Sequence, residues 1–306
     1  MRSTSYQAGA PRFVAPPQDE PEIYPYRRVW ISIIVENTIL FAVTLGIYIA
    51  VTAFGVSIPQ TASRPVNAAI ALLPAGLWLV FSWLRERFAV QPRQQLLSVA
   101  MVSALAANAI GIPFVEAVFQ PEAWLPLESL VNRIVGYTVT VIVVQEVLKY
   151  IVIRSIVWRE HFRIREDSIA YGAASAVGYA VVVNLHFAFG RDPLPQIMAA
   201  RTFEMAVIGL ICSLIIAFAL SELRFARPSP LLPVSLFALA CVIGGGSIAL
   251  RSAFVNPAFT FRGAQPNDLL GIILTAVVLL LMIVFVAFLF RNAVRQEREA
   301  AARAEV

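Results

Sequence analysis

Lysine is almost missing from this chain: Lys149 is the only one, against 23 arginines. Histidine occurs twice, as His161 and His186, and cysteine twice, as Cys212 and Cys241. Two isolated histidines exclude an HExxH metal motif. Two cysteines that both fall inside apolar runs exclude a disulfide framework and a zinc ribbon. Charge of either sign is scarce, at 14% of residues, where a soluble domain carries about a quarter. No basic cluster is dense enough to bind phosphates cooperatively, so nucleic acid is not an expected partner. Residues 1–28 hold five prolines and no apolar core of a signal peptide, and they read as a disordered cytoplasmic tail.

Apolar surface is what the chain has in excess: 59% of residues are hydrophobic and the mean hydropathy is +0.75. A soluble fold of this length has no interior large enough to hide it, whereas a bilayer supplies an apolar solvent. Eight apolar runs follow the tail, at about 29–54, 66–84, 96–119, 134–157, 168–190, 202–223, 230–250 and 268–290. Each is about the 20 residues that a helix needs to cross about 30 Å of hydrocarbon. The fold class expected is therefore all-α, a polytopic membrane helix bundle of about eight transmembrane helices. Its membrane domain spans 29–290, and a cytoplasmic helix or tail covers 291–306. Membrane lipids are the obligatory partners.

The arginines orient the spans. Alternate tails and loops, starting with the N-terminal tail, carry 16 of them, and the opposite set carries 6. The positive-inside rule then places both termini in the cytoplasm. An even number of spans requires the same. Trp30, Trp83 and Trp158 stand at or near run ends, as interface anchors do.

Ionisable groups within a span are costly, by about 2.5–3.5 kcal/mol each on insertion scales, and they mark function by default. Glu36, Glu116, Glu146 and Glu204 lie in or at the edge of spans. Glu146 stands out because Gln145 and Lys149 share its helix face at i, i+3 and i, i+4 spacing. The residues alone leave two readings open, a self-neutralising ion pair and an intramembrane active site. Glu36 and Glu116 have no partner nearby in sequence and read as structural or interfacial. In run five, Gly172 and Ala176, and Ala174 and Gly178, repeat at four-residue spacing, which lets helix backbones approach closely. Tyr179, Val183 and His186 follow on one face.

These segments resemble the PrsW-type intramembrane proteases, relatives of the CAAX-processing membrane proteases. The resemblance covers about 140–223. The family's Glu-Glu-x-x-Lys motif stands here as Gln145-Glu146-Val147-Leu148-Lys149. Its Asp-Gly-x-x-Tyr-Gly-Ala-Ala segment stands as Asp167-Ser168-Ile169-Ala170-Tyr171-Gly172-Ala173-Ala174. Its Gly-Phe-x-x-x-Glu-Asn stretch stands as Gly178-Tyr179-Ala180-Val181-Val182-Val183-Asn184. The spacing agrees throughout. A glutamine replaces the first Glu, Val183 replaces the later one, and run six, from Arg201 to Gly209, lacks the family's histidine.

The resemblance implies a hydrolase of bacterial inner membranes that cleaves membrane-anchored protein substrates, with a divalent metal such as zinc if active. On that basis Glu146 activates water, Lys149 holds its carboxylate, and Gln145 and Asn184 complete the polar site. The candidate metal ligands are Glu146, His186 and Glu204. Counted at about 1.5 Å per residue, Glu146 lies about 16 Å and His186 about 27 Å from the same face, and His186 is expected to pair with Glu204. A non-catalytic homologue that binds a membrane protein partner is the alternative. A transporter or permease component is a third, and Gly244-Gly245-Gly246 is its one candidate for a helix broken in mid-membrane.

The arginine asymmetry predicts topology. Reporters fused after Arg291 or within 85–95 are expected in the cytoplasm, and one within 191–201 outside. An external C-terminus would overturn the eight-span arrangement.

Overall fold

A computed structural model of the protein describes residues 29–89, 92–158, 160–226, 230–255 and 268–304. The expected tail 1–28 lies outside them. Every regular element among the described residues is helical. The long helices are α1 (Val29–Thr52), α2 (Thr61–Arg87), α3 (Leu96–Phe119), α4 (130–156), α5 (Arg165–Arg191), α6 (Pro195–Phe225), α7 (Leu231–Val255) and α8 (Asp268–Ala304).

Seven of these, all except α4, are long and apolar enough to cross a membrane, where the sequence reading expects about eight. The difference lies at α4. α4 is about 40 Å long at 1.5 Å per residue, but Arg133, Gln145, Glu146, Lys149 and Arg154 interrupt its apolar character. It resolves the conflict by segregation. Arg133, Glu146 and Lys149 are buried, while Val131, Val135, Val139, Val147 and Ile151 form an exposed aliphatic stripe. Such a helix turns hydrocarbon-compatible side chains outward and keeps its charges against protein.

The bundle is built around α5 and α6. In their most apolar stretches, 94% of α6 and 78% of α5 is buried, against 22–33% for the other five helices that qualify as spans. Close approach makes this possible. A Cβ on Gly172 would stand 3.0 Å from Ala217 Cβ and 3.1 Å from the Ser213 carbonyl oxygen on α6. A Cβ on Gly178 would overlap the Ala100 carbonyl of α3. The small-residue face of α5 therefore meets two different helices, and Ser103 and Ser175 hydrogen-bond at 2.7 Å across the second contact.

One end of α5 is fixed by an ionic knot. Asp167 Oδ2 accepts the backbone N–H groups of Arg163 (2.8 Å) and Ile164 (3.0 Å), which satisfies donors that a helix start leaves open. Its Oδ1 accepts Arg93 Nε at 2.8 Å, and Arg93 also pairs with Glu86 at 2.6 Å. Arg165 pairs with Glu222 of α6. Two arginines counted for topology are thus spent within the protein.

Four single π turns interrupt the helices: Leu79–Trp83 in α2, Ala107–Gly111 and Val115–Phe119 in α3, and Thr138–Ile142 in α4. The last runs directly into the stretch that carries Gln145 and Glu146. α7 runs unbroken through Gly244-Gly245-Gly246, so the expected mid-membrane break is not there. These glycines serve packing instead. A Cβ on Gly245 would overlap Thr138 Oγ1, and one on Gly244 would reach within 2.9 Å of Ile142 Cγ2.

Replacing Gly178 by Leu is expected to destabilise by about 1–3 kcal/mol through overpacking, and Gly172→Leu similarly. Gly76, with nothing within 4 Å of an added Cβ, should accept Ala without loss. Thermal unfolding in detergent checks all three.

Candidate functional site

The site begins with an ammonium group that has no water. Lys149 is buried on α4, one helical turn from Glu146. A lysine ammonium carries three donors, and three acceptors meet it. Glu146 Oε1 lies at 2.6 Å, Ser213 Oγ at 2.7 Å and the Gly209 carbonyl oxygen at 3.1 Å. The first comes from α4 and the other two from α6, one helical turn apart. Gln145 Nε2 also donates to Glu146 Oε1, at 3.3 Å. Glu146 Oε2 is buried and has no hydrogen-bond partner.

Gly209 and Ser213 are the members that sequence reasoning missed. Their signal is faint: Ser213 is one hydroxyl in an otherwise apolar run, and Gly209 contributes only its backbone.

Beside this cluster lies a cavity of about 680 Å³ between α3, α4, α5, α6 and α7, a size typical of ligand pockets. Its wall includes Tyr137, Val141, Gln145, Tyr179, Val183 and Arg201, with Ile112, Val115, Phe187, Met205 and Ile248 supplying apolar surface. Arg201, counted in sequence only for topology, stacks over the Phe187 ring at 3.9 Å. Gln145 faces the cavity, whereas Glu146 is not among the residues that line it.

Asn184 is a correction. It was expected to share hydrogen bonds with the Glu146–Lys149 pair, but both its side-chain oxygen and nitrogen are buried without a partner. Successive helix residues point about 100° apart. Val183 is turned to the cavity, so Asn184 is turned away from it. His186 is a second correction. It pairs at 2.7 Å with Glu116, not with Glu204, and both members of that pair are exposed. Glu204 is buried on α6. Glu36, read as structural or interfacial, accepts a 2.5 Å hydrogen bond from Ser82 of α2.

A family model described as PrsW family intramembrane metalloprotease matches residues 91–289. No curated protein matches the chain. No solved structure matches it.

That description implies a metal, and the donor set does not fit one. Among the described residues no three of His, Cys, Asp and Glu gather where they could hold a metal ion. Of the candidate ligands, Glu146 has one oxygen committed to Lys149 and Gln145, and His186 is committed to Glu116. The cavity wall carries Gln145 and Val183 where the resemblance leads one to expect carboxylates.

A buried pair is broken most expensively by removing one member, because the other charge is stranded. Lys149→Met is expected to destabilise by about 3–5 kcal/mol. Glu146→Gln combined with Lys149→Met should cost less than Lys149→Met alone. Chemical unfolding of both variants in detergent decides it; equal losses would show that the pair is not coupled.

Proposed function

The chain belongs to the PrsW family, and from that membership we propose that it is a multi-pass membrane protein which holds a segment of a membrane-anchored protein in the cavity beside Glu146, without metal-dependent hydrolysis. Binding is the part of a membrane protease's task that needs only a shaped, largely apolar cleft with a few polar groups. The cavity meets that requirement. A helical or extended segment entering it would contact Met205, Ile248 and Val183, with Gln145 and Tyr179 offering hydrogen bonds.

The observation that carries this reading is the donor set at the wall. Gln145 and Val183 stand in the cavity where the resemblance leads one to expect carboxylates, and Glu146 is turned into the α4–α6 interface. A valine has no donor atom, and a glutamine amide is a weak neutral ligand without the basicity to deprotonate water. The protein would reside in a bacterial inner membrane with both termini in the cytoplasm.

A second reading has one specific support. Glu146 Oε2 is buried and lacks a partner. In a peptidase it would take the proton of an attacking water as general base, with Lys149 holding the carboxylate in its ionised form.

The readings separate in one experiment. A photoreactive phenylalanine analogue is placed at Val183, or at lipid-facing Leu280, in cells that also express wild-type protein or Glu146→Gln. The binding reading expects a membrane-anchored protein cross-linked from Val183 and not from Leu280. It also expects the same set of membrane-protein termini, by mass spectrometry, with wild type and Glu146→Gln. Stoichiometric transition metal in the purified protein, together with cleavage that disappears in Glu146→Gln, would establish the peptidase instead.

A further inference from the structure

The chain between α3 and α4 covers one end of the cavity. Gln120, Pro121, Glu122, Ala123 and Pro126 all contribute to its lining. This segment is neither a helix extension nor a loose loop. Gln120 ends α3 in the left-handed region, at φ 46 and ψ 49. Two single turns follow, Pro121–Trp124 and Leu125–Leu127, each with a proline in its first turn. Trp124 Nε1 donates to the Phe119 carbonyl at 3.0 Å and closes the turn on itself.

Its attachments are of two kinds. Leu125 is fully buried and seats against Gly136 of α4, where an added Cβ would overlap its Cδ2. That anchor is apolar and has no substitute in water. Two ion pairs reach the last turns of α5: Glu122 of the segment with Arg191, and Glu116, in the last turn of α3, with His186. All four of these residues are exposed. Exposed ion pairs contribute little net stability because water replaces each partner. The segment is therefore seated by Leu125, with Pro121 also buried, and its links to α5 are ion pairs that exchange readily.

The opposite rim is tied to α2 by two exposed contacts and one from the buried Asn67. The α5 terminus ends at Asp192, which accepts Ser63 Oγ at 3.0 Å and faces Arg64 at 4.0 Å, both from α2. Asn67 of α2 donates to the Pro193 carbonyl at 2.7 Å. If one side of this rim moves, it is the side that α2 does not hold.

We propose that the last turn of α3, Val115–Phe119, and residues 120–128 together form a lid over the cavity, latched to α5 by Glu116–His186 and Glu122–Arg191, and that release of this latch admits the occupant. The proposal deepens the binding reading, on which it rests for what enters. Opening exposes the wall at Val183, Met205 and Ile248 without disturbing the Glu146–Lys149 pair, which lies in the α4–α6 interface. A ligand that brings its own charge to the mouth would compete for these same four side chains and so open the lid itself.

Access is measurable with no ligand present. Val183→Cys is introduced into the full-length protein, and its reaction with a water-soluble maleimide is timed in detergent micelles. Wild type serves as the blank, since Cys212 and Cys241 are buried. Adding Glu116→Gln and Glu122→Gln should speed labelling several-fold. Glu122→Arg should do the same, and Glu122→Arg with Arg191→Glu should bring the rate back toward that of the latched protein. Unchanged labelling in the glutamine variants, or a charge swap that stays fast, would overturn the lid. A working latch with no cross-link from Val183 would remove the binding reading and leave the lid standing.

Discussion

An ammonium ion in a protein core embedded in lipid has nowhere to find water, and its three donors must each be met by protein. That constraint governs the centre of this molecule. Lys149 meets it with a carboxylate from its own helix and two oxygens from α6. The requirement sets the rotation of α4, since only one face can present Glu146 and Lys149 to α6. With that face turned inward, the valine stripe is turned outward. The π turn at Thr138–Ile142 and the glycines of α7 that fit against it then fall on the remaining side. The cavity is the space left where α3, α5 and α7 meet this orientation.

The ionic knot at the other end of α5 solves a similar problem by different means. Arg93 is buried, but it is shared between Glu86 and Asp167, and Asp167 in turn serves the backbone at the start of α5. Here charge holds a helix end and a loop in register. At Lys149 charge holds the middle of two helices together. Beyond the knot α5 is packed largely through glycine and alanine, with the Ser103–Ser175 hydrogen bond among them.

Much of this was legible in the sequence, and the limits are physical. Apolar runs of span length gave the helices, because length and hydropathy are local properties. Glu146 and Lys149 were legible as a pair because three residues on a helix share a face. Ser213 and Gly209 were not, since they lie some sixty residues along the chain and a hydroxyl or a carbonyl carries no pattern. Asn184 was misplaced because motif spacing gives a helix position and not the rotation of that helix. His186 was assigned to Glu204 by depth alone. Depth could not foresee that the last turn of α3 would bring Glu116 to it. The fourth run reads as a span from its aliphatic residues, and α4 carries these on an exposed face and Arg133, Glu146 and Lys149 on a buried one.

The burial of α6 has a consequence for biogenesis. This helix leaves the ribosome before α7 and α8, yet its surface in the finished protein is enclosed by helices on both sides of it in sequence. Cys212 donates to the Ala240 carbonyl of α7 at 3.2 Å, and Phe218 packs edge-on against Phe290 of α8. For the interval of synthesis in which those two helices do not yet exist, α6 presents to lipid the face they will later cover. The face is almost wholly aliphatic and aromatic there, so it can wait in hydrocarbon. The polar atoms of α6 that cannot wait, at Gly209 and Ser213, answer to α4, which has already been made. Chain order and polarity are matched: the contacts that lipid would oppose form first, and the contacts that lipid can imitate form last.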